Sequence, residues 1–169
     1  MTSEPLPDWD RIVDRHARRV FGVAFRILGS VHDAEDVSQD VFAEAYRLHR
    51  SGPVQSWAGL LVRLATLRSL DRLRRQRPAA ELRELDRVSA VEPFQELMAS
   101  ELSHWLRAAI SQLPDQQATV FTMQYFEHLS RDEIAASLAV SPEAVSTALY
   151  KARERLMSQF VVYNQGAQE

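Results

Sequence analysis

The sequence contains no cysteine and few glycines, 5 among its 169 residues. Without cysteine there can be no disulfide framework, thiolate zinc site, iron–sulfur cluster or cysteine nucleophile. No apolar run approaches the roughly 20 residues that cross a bilayer, so we expect no membrane insertion. The first residues are polar and acidic rather than basic and then apolar, so we expect no secretory signal and a cytoplasmic location.

The motifs of most enzyme classes are also missing. There is no Gly-rich phosphate loop and no nucleophile elbow. Glu101 and His104 form a single Glu-x-x-His pair, whereas a di-iron site in a helical bundle needs two. We therefore expect a protein without catalytic activity, bound metal or cofactor.

The charge of the chain is unevenly distributed. Its formal net charge is −3, and hydrophobic residues make up 46% of it, enough for a folded core. Residues 1–46 and 78–101 each carry a net charge of −4, whereas residues 63–77 contain six arginines against one aspartate. Such a block is either a solvated helix face or a binding site for a polyanion, and its compact single sign favours the polyanion.

Apolar residues recur at helical spacing along nearly the whole chain, which predicts an all-α fold. A first helix ends at Gly29, and a second is capped by Ser30 and ends near Arg50. A third begins at about Ser56 and is stopped by Pro78. We expect these three helices to form one bundle.

A proline-bounded acidic stretch without a clean apolar stripe follows, which predicts a linker over residues 78–93. The expected organisation is two small helical domains, 9–77 and 94–160, joined by this linker. Residues 164–169 are expected to lack structure.

The second predicted domain contains a helix-turn-helix pattern. Ser130 and Glu133 have the spacing of a capping box, Ser141 caps the next helix, and the small Ala135 allows the two helices to approach closely. A simple αα-hairpin would produce a similar pattern. In a helix-turn-helix the second helix lies in the DNA major groove. The candidates for base contacts are Glu143, Ser146, Thr147 and Tyr150, and those for the DNA backbone are Lys151, Arg153 and Arg155.

Acidic residues crowd the start of the second helix. Asp33, Glu35, Asp36 and Asp40 suit the helix dipole there, so the cluster is either a capped, solvated helix start or a docking face for a basic partner surface.

Three segments, in this order and spacing, resemble bacterial extracytoplasmic-function (ECF) sigma factors, the minimal two-domain members of the sigma-70 family. The segments are DAEDVSQDVFAEAYR at 33–47, WAGLLVRLATLRSLDRLRR at 57–75, and VSTALYKARERL at 145–156. The resemblance implies a transcription initiation factor that binds core RNA polymerase and directs it to the minus-10 and minus-35 elements of promoter DNA, with an anti-sigma protein as a further partner.

The resemblance also implies roles for particular residues. Core polymerase would be bound by Asp33, Glu35, Asp36, Gln39, Asp40 and Phe42. The minus-10 element would be bound by the loop at 49–56, which contains no tyrosine, tryptophan or phenylalanine, and by Arg63, Arg68, Arg72, Arg74 and Arg75. Ser141 would join the residues of the last helix at the minus-35 element, and Tyr125 and Phe126 would contact the polymerase flap.

Two other functions fit the pattern from the residues alone. A stand-alone helix-turn-helix regulator, with the first bundle as a dimerisation or ligand domain, would bind duplex DNA tightly without polymerase. A helical adaptor would use neither DNA surface.

Overall fold

The computed structural model describes residues 8–83 and 94–166, with side chains for 8–76 and 101–166. Seven α-helices lie in these residues and no strand. They are α1 (Trp9–Leu28), α2 (Val31–Ser51), α3 (Trp57–Arg83), α4 (Phe94–Ser111), α5 (Asp115–Tyr125), α6 (Arg131–Leu138) and α7 (Pro142–Gly166). None of these helices is both long and apolar enough to span a membrane.

Helices α1, α2 and α3 pack against one another as the predicted three-helix bundle. Apolar residues at helical spacing, among them Val20, Val23 and Val41, form its core and are almost fully buried. The turn between α1 and α2 depends on Gly29, which has a left-handed φ of 68° and donates its N–H to the Phe25 carbonyl at 2.7 Å. Glycine adopts this conformation without the steric cost that a Cβ imposes.

Helices α4 to α7 form the second half, in which α7 packs against α4, α5 and α6. The Ser130 hydroxyl accepts a hydrogen bond from the Glu133 N–H, and the Glu133 carboxylate accepts one from the Ser130 N–H, so the capping box is complete. Ala139 then adopts a left-handed φ of 54° and ends α6. The predicted helix-turn-helix is therefore α6 and α7.

The two halves contact each other through α3, which packs against α4, α5 and α6 as well as against α1 and α2. Arg26 on α1 pairs with Glu127, which follows α5, at 2.6 Å. Gly59 at the start of α3 approaches α6 so closely that a Cβ there would lie 3.2 Å from the Ser137 hydroxyl. Helix α3 therefore contacts both the first bundle and the second half of the molecule.

Two predicted helix ends were wrong. Helix α3 does not stop at Pro78 but continues to Arg83. A proline removes one hydrogen-bond donor and bends a helix without necessarily ending it, and Ala79 and Ala80 after it favour helix. Helix α7 continues to Gly166, so residues 164–166, which were expected to lack structure, are helical. Of the predicted linker 78–93, the last ten residues lie outside the described part of the chain.

Candidate functional site

The acidic residues of α2 separate into an inner and an outer set. Asp33 is buried, with 7% of its surface exposed, while Glu35, Gln39 and Asp40 are exposed on the side away from the core. Asp36 lies between the two sets, half-buried. The sequence placed these residues in one cluster, and the structure leaves its outer set available to a basic partner.

Asp33 is held by an arginine from another helix. Arg72 on α3 donates from Nη2 to the Asp33 carboxylate at 2.7 Å and to the Asp36 carboxylate at 3.0 Å. Burial by itself would raise the pKa of Asp33, but hydrogen bonds from Arg72, Gln76 and Ser30 and the charge of Arg72 outweigh it, so the pKa lies below its ordinary value. The ion pair between Arg72 and Asp33 therefore connects the start of α2 to α3.

Arg68 also connects two helices. Its Nε and Nη2 donate to the two oxygens of Glu44 on α2, both at 2.7 Å, and its Nη1 donates to Asp71 at 3.3 Å. The hydrogen bond from Arg68 lowers the pKa of Glu44. A bidentate arginine–carboxylate pair is among the stronger protein ion pairs, so this contact orients Arg68 along α2.

Arg74 reaches into the second half of the molecule. It donates to the carbonyl oxygens of Ser111 and Leu113, at 3.2 and 3.1 Å, and pairs with Asp115 at 2.5 Å. These carbonyls lie at the carboxyl end of α4, where the helix dipole favours a cation. Arg74 therefore stabilises the contact between the two halves.

The remaining two arginines of the predicted minus-10 set, Arg63 and Arg75, are exposed. Within the residues described, neither of them pairs with a carboxylate. The five arginines predicted to bind the minus-10 element thus divide into three that connect helices and two that project into solvent.

The loop between α2 and α3 has aromatic rings at its base, although it has none of its own. Trp57 lies 5.8 Å from Trp9 and 5.2 Å from His49, measured between ring centroids, and Tyr46 lies 5.1 Å from Trp9. Trp57 is half-buried and packs against the core. Sequence reasoning missed Trp9 and Tyr46, because rings from three helices meet there only in the folded chain.

A cleft of about 760 Å³ lies between this loop and α6. Residues 51–56 form one wall, and Glu133 and Ser137 of α6 form the other. Arg19 of α1 and Arg63 of α3 also line it. The cleft therefore carries two arginines beside the loop that the sequence assigned to promoter DNA.

Helix α7 presents its predicted DNA-binding residues to solvent and its apolar residues to the core. Val145, Ala148, Leu149 and Ala152 are buried. Ser141 is the cap of α7, and its hydroxyl accepts a hydrogen bond from the Ala144 N–H at 3.1 Å. All eight predicted residues are exposed, namely Ser141, Glu143, Ser146, Thr147, Tyr150, Lys151, Arg153 and Arg155.

Besides Ser141, two of these exposed residues have side-chain partners. The Tyr150 hydroxyl donates to Glu154 at 2.9 Å, which raises the pKa of Tyr150. Arg153 donates from Nε to the Tyr125 hydroxyl at 2.6 Å, and its guanidinium carbon lies 5.4 Å from the centre of the Tyr125 ring. Tyr125, expected at a polymerase contact, therefore touches α7, the helix predicted to bind the minus-35 element.

Among the side chains that the structure describes, those of residues 8–76 and 101–166, no three histidine or acidic groups are placed together to hold a metal ion.

Two family models match the chain. Sigma-70 region 2 matches residues 12–79, and Sigma-70, region 4 matches residues 103–156. The chain is 34% identical over 156 residues to the ECF RNA polymerase sigma factor SigE of Mycolicibacterium smegmatis, covering 89% of this chain and 61% of SigE, less than two thirds of that protein's length. It is 30% identical over 161 residues to the ECF RNA polymerase sigma factor SigW of Bacillus subtilis, covering 88% of this chain and 86% of SigW.

The fold is similar to that of a solved structure, CnrH in complex with the cytosolic domain of CnrY. The TM-score is 0.59 at 19% identity, and the match covers 91% of this chain and 88% of CnrH. This likeness shows the same all-α architecture.

Proposed function

The chain belongs to the ECF sigma factors of the sigma-70 family and is a transcription initiation factor, and from this premise we propose that it binds core RNA polymerase and directs it to promoters with minus-10 and minus-35 elements. The observation that supports this most directly is the separation of two exposed surfaces. An acidic face lies on α2 in the region 2 match, and a polar and basic face lies on α7 in the region 4 match. The function is one of binding, without catalysis by this chain.

The polymerase contact in this proposal is the outer acidic face of α2. Glu35, Gln39 and Asp40 are exposed, and Asp36 is half-buried beside them. Such a face is complementary to a basic surface of a partner. Asp33 contributes indirectly, because its ion pair with Arg72 holds the start of α2 in place.

The minus-10 contact is proposed for the loop at 52–56 together with Arg63 and Arg75. Melted single-stranded DNA needs a cationic path for its phosphates and surfaces for its extruded bases, and unstacking a base costs a few kcal/mol. Arg68, Arg72 and Arg74 remain candidates for the same element, although contact with DNA would require each to leave the partners it has in this fold.

The minus-35 contact is proposed for the exposed face of α7 in the major groove of duplex DNA. In this assignment Glu143, Ser146, Thr147 and Tyr150 face base edges, and Lys151, Arg153, Arg155 and the capping Ser141 face phosphates. With few phosphates neutralised, the isolated protein should bind DNA weakly, with a shallow dependence on salt, and polymerase should supply the remaining affinity.

Reading both elements at once requires the two halves of the chain to separate. The names minus-10 and minus-35 place the elements about 25 base pairs apart, or about 85 Å at 3.4 Å per base pair. The halves here touch along α3, through Arg74 and through the pair of Arg26 with Glu127. We propose two modules, residues 9–77 and 94–160, that separate from each other when the factor joins polymerase.

We also propose an anti-sigma protein as a partner and the cytoplasm as the location. CnrH, which shares the fold, was solved with the cytosolic domain of CnrY. A partner of that kind would regulate the factor by covering its polymerase-facing and DNA-facing surfaces.

The test is run-off transcription with purified core polymerase, followed by sequencing of the transcript starts. We expect discrete starts that depend on the factor. Replacing Glu35 and Asp40 by arginine should abolish both transcription and capture of core polymerase, because these two exposed acids have no ion pair in the described residues whose loss would disturb the fold. For the capture of core polymerase, the matched control replaces the exposed Asp10 and Asp14 of α1 by arginine, which changes the net charge equally and should leave capture intact.

Two results would count against the proposal. Capture of core polymerase that survives the α2 reversal would remove the assigned docking face. Tight binding of duplex DNA without polymerase, as a two-fold dimer, would support a stand-alone helix-turn-helix regulator, which family membership does not favour.

A further inference from the structure

The outer face of α1 carries a stripe of arginines that the net charge of its segment conceals. Arg11, Arg15, Arg18 and Arg19 are all exposed. Their positions follow i, i+4, i+7 and i+8, the spacing of residues that share one helix face. The opposite face carries buried residues such as Val20. Residues 1–46 have a net charge of −4 because more than half of their acids lie on α2, so counting along the sequence gave no sign of a basic surface here.

Three of the four arginines in this stripe make no ion pair in the described residues, although the charge of Arg19 acts on Glu133 across the cleft. Arg11 makes a 3.8 Å contact with Asp8, in which both side chains are mostly exposed, and a pair of this kind contributes little. Elsewhere in the described residues, no carboxylate lies within ion-pair distance of Arg15, Arg18 or Arg19. Burial and then the charges of Arg15 and Arg19 lower the pKa of His16, which is consistent with a positive potential along α1.

The stripe is continuous with the surface proposed for the minus-10 element. Arg19 lines the same cleft as Arg63 and residues 51–56. The eight residue steps from Arg11 to Arg19 extend about 12 Å at 1.5 Å per residue. Phosphates follow one another at about 3.4 Å along the axis for each strand of DNA, so the stripe is long enough to follow three or four of them. Guanidinium groups bind phosphate with two parallel hydrogen bonds.

We propose that the arginine stripe of α1 binds the phosphate backbone of promoter DNA adjacent to the minus-10 segment, as a continuation of the path that begins at Arg63. This inference rests on the proposed function. Arg19, Arg63 and residues 51–56 all belong to the first half, so their proximity does not depend on α6 and is kept when the halves separate. This continuity favours DNA as the partner over an acidic protein surface, because Arg19 cannot contact DNA at the loop without bringing the rest of the stripe close to the same strand.

The experiment uses holoenzyme formed from core polymerase and the full chain, with a duplex promoter fragment whose start has been mapped by run-off sequencing. The variant replaces Arg15, Arg18 and Arg19 by glutamine, and the affinity is measured over a range of salt concentrations. The slope of log affinity against log salt concentration should decrease in magnitude by about 2 to 3. Each lost phosphate contact reduces this slope by about 0.9 for duplex DNA and about 0.7 for single-stranded DNA. At 0.1 M salt the affinity should fall at least roughly tenfold.

The matched control replaces the same three arginines by lysine, which keeps the charge and should keep most of the salt dependence. If wild-type holoenzyme does not bind the fragment, the proposed function fails and this inference falls with it. If wild type binds and the glutamine variant has the same affinity and salt dependence, only the inference fails. Weaker core-polymerase capture by the glutamine variant, with an unchanged salt dependence of DNA binding once excess factor has saturated the polymerase, would overturn it in favour of a protein partner. An equal loss in the lysine variant would overturn it as well, because charge would not be the cause.

Discussion

Replacing Arg72 by methionine tests whether this arginine is a structural link or a free DNA contact. The change keeps much of the side-chain volume and removes the donor to Asp33 and Asp36. Removing one partner of a fully buried ion pair costs about 3–5 kcal/mol, because the other charge is left buried. The Arg72 side chain is 31% exposed and that of Asp33 is 10% exposed, so solvent screens part of this and we expect a loss of about 2 kcal/mol.

The assay is equilibrium unfolding in urea at pH 7, monitored by tryptophan fluorescence. A loss of about 2 kcal/mol lowers the midpoint by about 1 M urea when the slope is about 2 kcal/mol per M. Arg75 provides the matched control, since it lies on the same helix, is exposed and pairs with no carboxylate in the described part of the chain. Arg75→Met should therefore leave the midpoint unchanged. Asp33→Asn combined with Arg72→Met should recover part of the loss, because no unpaired buried charge remains.

The pH dependence gives a second, independent readout. In the wild type the pKa of Asp33 is below its ordinary value of 3.8, so its contribution to stability is complete above that value and is lost as the pH falls through the folded-state pKa. Without Arg72, burial becomes the dominant influence and should raise the pKa of Asp33. The difference in stability between wild type and variant should therefore shrink as the pH falls from 7 towards 3. A loss below about 0.5 kcal/mol, within the range of ordinary surface substitutions, or a difference that does not change with pH would refute a structural role for Arg72.

Two further predictions concern contacts that the sequence did not reveal. Tyr125→Phe keeps the ring beside Arg153 but removes the hydroxyl that accepts its hydrogen bond. We expect the affinity of holoenzyme for a minus-35 duplex to fall about threefold to tenfold, because one net hydrogen bond contributes about 1 kcal/mol. An equal fall in a protein that already carries Arg153→Ala would contradict this. Arg74→Ala removes two hydrogen bonds to backbone carbonyls across the halves. Because the chain lacks cysteine, Glu35→Cys and Lys151→Cys allow one specific label on each half. Energy transfer between the two labels should decrease in the Arg74 variant, and unchanged transfer would show that Arg74 does not hold the halves together.

The positions at which helices begin and end followed mostly from the sequence, because the responsible interactions are local. The Gly29 N–H bonds a carbonyl four residues earlier, and Ser130 and Glu133 satisfy each other three residues apart. Where prediction failed, at Pro78, the residue type indicated a helix end, but the flanking residues favour helix and one lost donor did not end it.

The role of each arginine was decided by tertiary structure. Arg72 meets Asp33 across 39 residues and Arg74 meets Leu113 across 39 residues, whereas Arg75 beside them meets no carboxylate in the described residues. Neighbours in sequence point to different sides of a helix, so a block of like charge does not share one environment.

The sequence by itself determined the all-α class, the helix-turn-helix and the family resemblance, since these depend on residue order and on spacing within a few turns. Only the folded chain separated the buried Asp33 from the exposed Asp40 and brought Arg19 of α1 to the same cleft as Arg63 of α3. The physical reason is that charge acts through distance and burial in space, and both are set by packing between helices that are far apart along the chain.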